Sequence, residues 1–164
     1  MYRVSQMVVY GIHGVCKIVE MENRTVDRQN VDYYVLEPLT HPGTRYLIPS
    51  NNPAALSKIR PLLERERLIA MLCAAPGAYT WIPEENRRKQ YCRQVITSGD
   101  AEAIIGMLYF VERYKKSQAE IGKRLHQSDE NFLRDAQKVL SGEIAVVMDI
   151  TREEVPAFIK TIHT

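Results

Sequence analysis

The chain has 164 residues, with 22 Lys and Arg against 20 Asp and Glu, a formal net charge of +2 and 45% hydrophobic residues. That balance belongs to a folded globular protein and excludes a disordered one. No apolar run approaches the ~18–20 residues of a membrane-spanning helix. The N-terminal stretch around Arg3 and Gln6 lacks the apolar core of a secretion signal, so the expected location is the cytoplasm. The sequon Asn23-Arg24-Thr25 is then read as a chance match.

The first third reads as short strands rich in β-branched and aromatic residues: residues 7–10, 15–21, 32–36 and 44–48. Turn chemistry separates them at residues 11–14, 27–30 and 38–43. After Asn52-Pro53, a cap followed by a proline in the first helical position, the texture becomes helical. Residues 54–63 predict a helical piece interrupted at Pro61. Residues 64–74 predict a second helix, ending before Pro76-Gly77. Pro83 is expected to open a third, running to Thr97, with Glu84 and Glu85 where the helix dipole favours anions. Ser98-Gly99-Asp100 is a break and a new cap. Ala101, Ile104, Ile105, Leu108 and Val111 then line one face of an amphipathic helix ending near Lys115 or Lys116. Ser128 is expected to cap the next, and Thr151-Arg-Glu-Glu154 has the form of a capping box. The expectation is an α+β protein, with a small antiparallel β module over residues 1–52 and an all-helical bundle over 53–164.

The chemistry of a catalytic or metal centre has little local support. Cys16, Cys73 and Cys92 are odd in number and widely spaced, and His13, His41, His126 and His163 are equally scattered. His13 and Cys16 lack further ligands nearby. Gly11-Ile-His-Gly14 has the form of a nucleic-acid-binding GxxG loop, but it lies between strands and reads better as a hairpin turn. No phosphate-binding glycine motif is present. The composition favours a binding protein over an enzyme, and no metal site is expected.

The small net charge hides a division. Residues 1–52 carry five basic and five acidic groups, residues 53–127 thirteen and eight, and residues 128–164 four and seven. The middle third therefore carries +5 and is the place to look for a polyanion-binding surface. Within it, a helix from residue 83 places Tyr91, Cys92, Val95 and Ile96 inward. Asn86, Lys89, Gln90 and Arg93 then lie on the opposite face with Arg87 and Arg88 on its flanks, and Trp81 just precedes it. Basic groups neutralise phosphates, and an exposed aromatic can stack on bases or wedge into a groove.

The order of several short motifs resembles the CarD family of bacterial transcription regulators. They are Met7-Val-Val-Tyr10, His13-Gly14, Arg24-Thr25, Tyr33-Tyr-Val-Leu36, Ile48-Pro49, Asn86-Arg-Arg, Ser98-Gly-Asp100 and Leu140-Ser-Gly-Glu143. The N-terminal module is also similar to the RNA-polymerase-interacting domain of transcription–repair coupling factor. The resemblance implies a Tudor-like β-barrel that docks on the polymerase β subunit. It further implies a helical domain that touches promoter DNA at the upstream edge of the melted region and stabilises the open complex, with no catalytic activity and no cofactor. Carried over by position, Arg24 faces the polymerase, together with Arg45, Leu47 and Pro49 around the last strand. Leu47 stands where family members often carry arginine. On the DNA side the candidates are Trp81, Asn86, Arg87, Arg88, Lys89 and Arg93. The family's wedge tryptophan lies two residues before the Arg-Arg pair. This chain has Glu85 there, with Trp81 four residues earlier. With so few basic groups, DNA binding is expected to be weak, salt-sensitive and independent of sequence. No membrane or small-molecule partner is expected. The alternative is a protein-only adaptor whose helical domain binds another protein.

Overall fold

A computed structural model describes residues 1–74 and 80–162. The strand-forming runs make one antiparallel sheet of β1 (Met7–Tyr10), β2 (Val15–Val26), β3 (Gln29–Pro38), β4 (Tyr46–Pro49) and β5 (Ile59–Pro61), in the order β4-β3-β2-β1-β5. β2 and β3 are longer than the sequence pattern predicts. Asp27 and Arg28 both adopt positive φ, 49° and 64°, the backbone of a tight two-residue hairpin turn, so pairing continues out to Val26 opposite Gln29. The class is α+β as expected, but the sheet is open and the predicted barrel is corrected. The two edge strands are four and three residues long and both end in proline. Proline has no N–H to donate, so each edge ladder ends there and stays short.

One face of the sheet buries Val8, Cys16, Ile18, Tyr34, Leu36, Ile48 and Ile59, with Ala55 and Leu56 of the short helix α1 (Pro53–Leu56) packed against them. Asn52 caps α1, its side-chain oxygen accepting hydrogen bonds from the Ala54 and Ala55 amides at 3.0 and 3.1 Å. The helix predicted over residues 54–63 is thus also corrected. It stops at Leu56, and residues 59–61 instead pair antiparallel with β1 because Ile59 is drawn into the sheet core. The sheet therefore reaches past residue 52.

Helices α2 (Arg65–Cys73), α3 (Glu85–Ser98), α4 (Ala101–Glu120), α5 (Gln127–Met148) and α6 (Val155–Ile162) share a second core, centred on Leu68, Cys92, Met107, Val111, Ala136 and Ile144. The break read at Pro76-Gly77, like His163, lies outside the described residues. α3 begins two residues after Pro83, because the Glu84 carboxylate caps it by accepting hydrogen bonds from the Asn86 and Arg87 amides at 3.0 Å each. Asp100 caps α4 through the Ala103 amide at 2.7 Å. α4 continues beyond Lys115 and Lys116 to Glu120, where Gly122 turns the chain at φ 71°. The cap expected at Ser128 is corrected to His126, and the buried Ser128 hydroxyl has no hydrogen-bond partner among the described residues. The capping box at Thr151 forms as read, with the Thr151 amide donating to Glu154 at 2.7 Å.

Sheet and helices meet at a joint with little room to spare. A Cβ on Gly11 would stand 2.8 Å from the Thr97 carbonyl oxygen, and one on Gly99 would stand 3.3 Å from the Gly11 Cα. The turn read from Gly11-Ile-His-Gly14 is therefore also a docking contact. From β5, Arg60 donates its Nε–H to the Gly99 carbonyl at 2.7 Å and grips Glu143 of α5 with both terminal nitrogens at 2.7 and 2.6 Å. Glu143 is 1% exposed and also accepts the Leu63 amide at 2.9 Å. A bidentate Arg–carboxylate pair fixes orientation as well as distance, so the joint has one geometry.

Candidate interaction surfaces

On the sheet, alternation places Glu20, Glu22 and Arg24 of β2, Tyr33 and Val35 of β3, and Leu47 and Pro49 of β4 on the face opposite the core. Val35 lies across from Leu47, and Tyr33 across from Pro49. Three of the four residues expected to meet the polymerase therefore share one face. Leu47 and Pro49 sit on an edge strand whose outer backbone groups pair with no other strand among the described residues. Arg24 is exposed and bonded to Glu22 at 2.8 Å, and Arg45 reaches Glu20 at 3.4 Å. Both charges are thus partly compensated at the surface, and exposed pairs of this kind contribute little.

The six residues expected at DNA divide. Arg88 is corrected from a surface cation to a core residue. It is 2% exposed, bonds Asp129 of α5 through Nε and Nη2 at 2.8 and 3.0 Å, and donates from Nη1 to the Ile82 carbonyl at 2.9 Å. Asp129 is wholly buried. The reason is periodicity, since Arg88 lies one turn before Cys92 and two before Val95 on the inward stripe. Trp81 is half-buried. Tyr114 stacks on it with centroids 3.6 Å apart, and the Arg88 guanidinium lies 4.3 Å from its centroid. Held by both groups, the tryptophan packs against its neighbours rather than projecting. Lys89 is spent on Glu85 one turn earlier, and that hydrogen bond, with the Lys89 charge, holds Glu85 below the usual carboxylate range.

Asn86, Arg87 and Arg93 remain exposed on α3, and Gln90, Gln94 and Thr97 continue the same face. Neither Arg87 nor Arg93 has a carboxylate partner among the described residues. Sequence reasoning missed Asp129 and Glu143, the anions that bury Arg88 and Arg60. Glu143 had a visible signal, standing one turn after Val139 in the apolar stripe of α5.

The thiols offer no nucleophile in the cores. Burial pushes Cys16 up to about 12 and Cys92 up to about 11, and Cys73 alone is exposed. No helix among the described residues is long and apolar enough to cross a membrane.

The open antiparallel sheet thus carries Leu47 and Pro49 on an edge strand beside Glu20, Glu22 and Arg24, and is joined to a helical bundle. Residues 2–61 match the family model of the CarD-like/TRCF RID domain. The match ends at the last residue of β5, the point at which the sheet itself ends. At the family level this domain is a non-enzymatic, RNA-polymerase-interacting module. A comparison with curated proteins finds no match.

Proposed function

We propose that this protein is a non-enzymatic bacterial transcription regulator acting in the cytoplasm. Its sheet docks on the polymerase β subunit and α3 contacts promoter DNA at the upstream edge of the bubble, stabilising the open complex. The observation that carries the reading is the polymerase-interacting domain over residues 2–61, fixed rigidly to a helix whose exposed face offers unpaired arginines. Support for the docking side comes from β4, where backbone groups of an edge strand supply affinity by strand addition and Leu47 supplies an apolar contact. Support for the DNA side comes from Arg87 and Arg93. A handful of phosphate contacts gives weak, salt-sensitive, sequence-independent binding. Tethering through the polymerase raises the local DNA concentration enough to use it.

A protein-only adaptor is the second reading, favoured by the packing of Trp81 against Tyr114 and Arg88 and by an apolar cleft of about 500 Å³ among α2, α4, α5 and α6. Open-complex lifetimes measured with polymerase holoenzyme separate the two. Arg87→Glu with Arg93→Glu is expected to shorten the lifetime several-fold while the variant remains bound to polymerase, and an unchanged lifetime selects the adaptor. Leu47→Asp is expected to abolish retention of the full chain on the β subunit, and full retention would remove β4 from the docking surface.

A further inference from the structure

Beside α3, on the side turned toward the sheet, runs a shallow groove of about 520 Å³. One wall is the Ser57–Lys58 segment that links α1 to β5, and the other is the α3 face bearing Gln90, Arg93, Gln94 and Thr97. Every residue lining it is polar, two are cations and none is acidic. Lys58 and Arg93 make no ion pair among the described residues, in contrast to Lys89, Arg24 and Arg45, each of which has a carboxylate within reach. The two walls belong to different parts of the molecule and are held in register by the joint beneath them. The Lys58 carbonyl accepts the Gly11 amide at 3.1 Å, and Gly11 abuts Thr97.

We propose that this groove seats the phosphodiester backbone of one DNA strand, with Lys58 and Arg93 neutralising phosphates from opposite walls and Gln90, Gln94 and Thr97 donating hydrogen bonds. The proposal rests on the DNA-contacting reading of α3 and specifies its geometry. The strand crosses from the helical domain onto the polymerase-interacting domain instead of ending near Trp81. From Gln90 to Thr97 the helix advances about 10 Å, enough to lie along more than one phosphate of a strand. Carboxamide and hydroxyl donors carry no base preference at the backbone, and a groove without a carboxylate has nothing to repel the phosphates.

The test is fluorescence anisotropy of the full chain with a fluorescent forked duplex over a salt series. Lys58 and Arg93 are both exposed, so alanine at either leaves the fold intact. Lys58→Ala and Arg93→Ala are each expected to weaken binding several-fold and to reduce the slope of log K against log salt by about 0.9, with Lys58→Arg restoring the slope. Lys17→Ala, on the exposed face of β2, is expected to change neither. If Arg93→Ala and Arg87→Ala reduce the slope but Lys58→Ala does not, the groove is overturned and the DNA reading of α3 stands. If Lys17→Ala reduces the slope as much as Lys58→Ala, the effect is diffuse charge and the groove is overturned. If none of the arginine variants alters binding, the DNA reading itself fails.

Discussion

Arg87 and Arg88 are neighbours in the chain with opposite duties. Arg87 projects from α3 unpaired, whereas Arg88 and Asp129 form a buried pair whose members need each other. Removing one partner of such a pair strands a charge in the core and costs about 3–5 kcal/mol. Arg88→Met is therefore expected to lower the unfolding free energy from urea titration by an amount in that range, while Arg87→Ala changes it by less than about 0.5 kcal/mol. Arg88→Met combined with Asp129→Leu should recover much of the loss, since an apolar pair of similar volume often replaces a buried ion pair at little cost. If Arg88→Met leaves the midpoint unchanged, the pair does not form in solution. The sequence shows two adjacent arginines and invites reading both as DNA contacts. The inward stripe was legible as Tyr91, Cys92, Val95 and Ile96, with Arg88 left on the flank of the outer face, because its partner Asp129 lies 41 positions away and no local pattern links them.

At the level of elements, the long strands and helices were legible because their periodicities are sustained. β5 was not, because three residues ending in proline are too short to show a period and sit within helical texture. The open sheet follows from the same brevity at both edges. The close joint was half legible. Gly11 and Gly14 read as a turn, but the helix end that presses on them cannot be seen from the turn. Gly11 sits at φ 44° with the Thr97 oxygen in the way of any Cβ, whereas Gly43 sits at φ 89° with open space around it. Gly43→Ala should thus cost only backbone strain, about 1 kcal/mol, and Gly11→Ala roughly 2–3 kcal/mol, because packing adds to strain. Melting curves of the two variants check this, and equal losses would show that the joint is looser than described.

For the molecule as a whole, the division of charge along the chain was legible but its use was not. Of the middle-third cations, Arg60, Arg88, Lys89 and Lys115 are committed to carboxylates, so the excess works at a few positions and not as a general field. The pH response follows from His13, which sits in the turn at the joint beside Tyr10 and Tyr46, across a small cleft from His41, Asp135 and Lys138. Burial, and then the Lys138 charge, hold His13 below its ordinary value. The unfolded chain therefore takes up this proton first on acidification. The stability that neutral His13 contributes is fully present above about pH 6.5 and is lost as pH falls through the lower folded value. The urea midpoint is expected to decline between pH 7 and pH 5, above the carboxylate range of Glu85 and Glu154, and His13→Phe should flatten that decline. A decline of equal steepness in His13→Phe would assign the response elsewhere.

Arg60 and Glu143 stand 83 positions apart in the chain, while the β2–β3 hairpin is closed by a two-residue turn. Closing a short loop takes tens of nanoseconds and a hairpin microseconds, whereas contacts between distant segments wait on the ordering of everything between them. During synthesis the sheet can be complete before α5 has left the ribosome, and the ion pair is then among the last contacts made. Order of assembly thus separates the two halves of the molecule in time: the sheet over residues 2–61 matures first, and the clamp that fixes it to α5 closes only when the final third of the chain arrives.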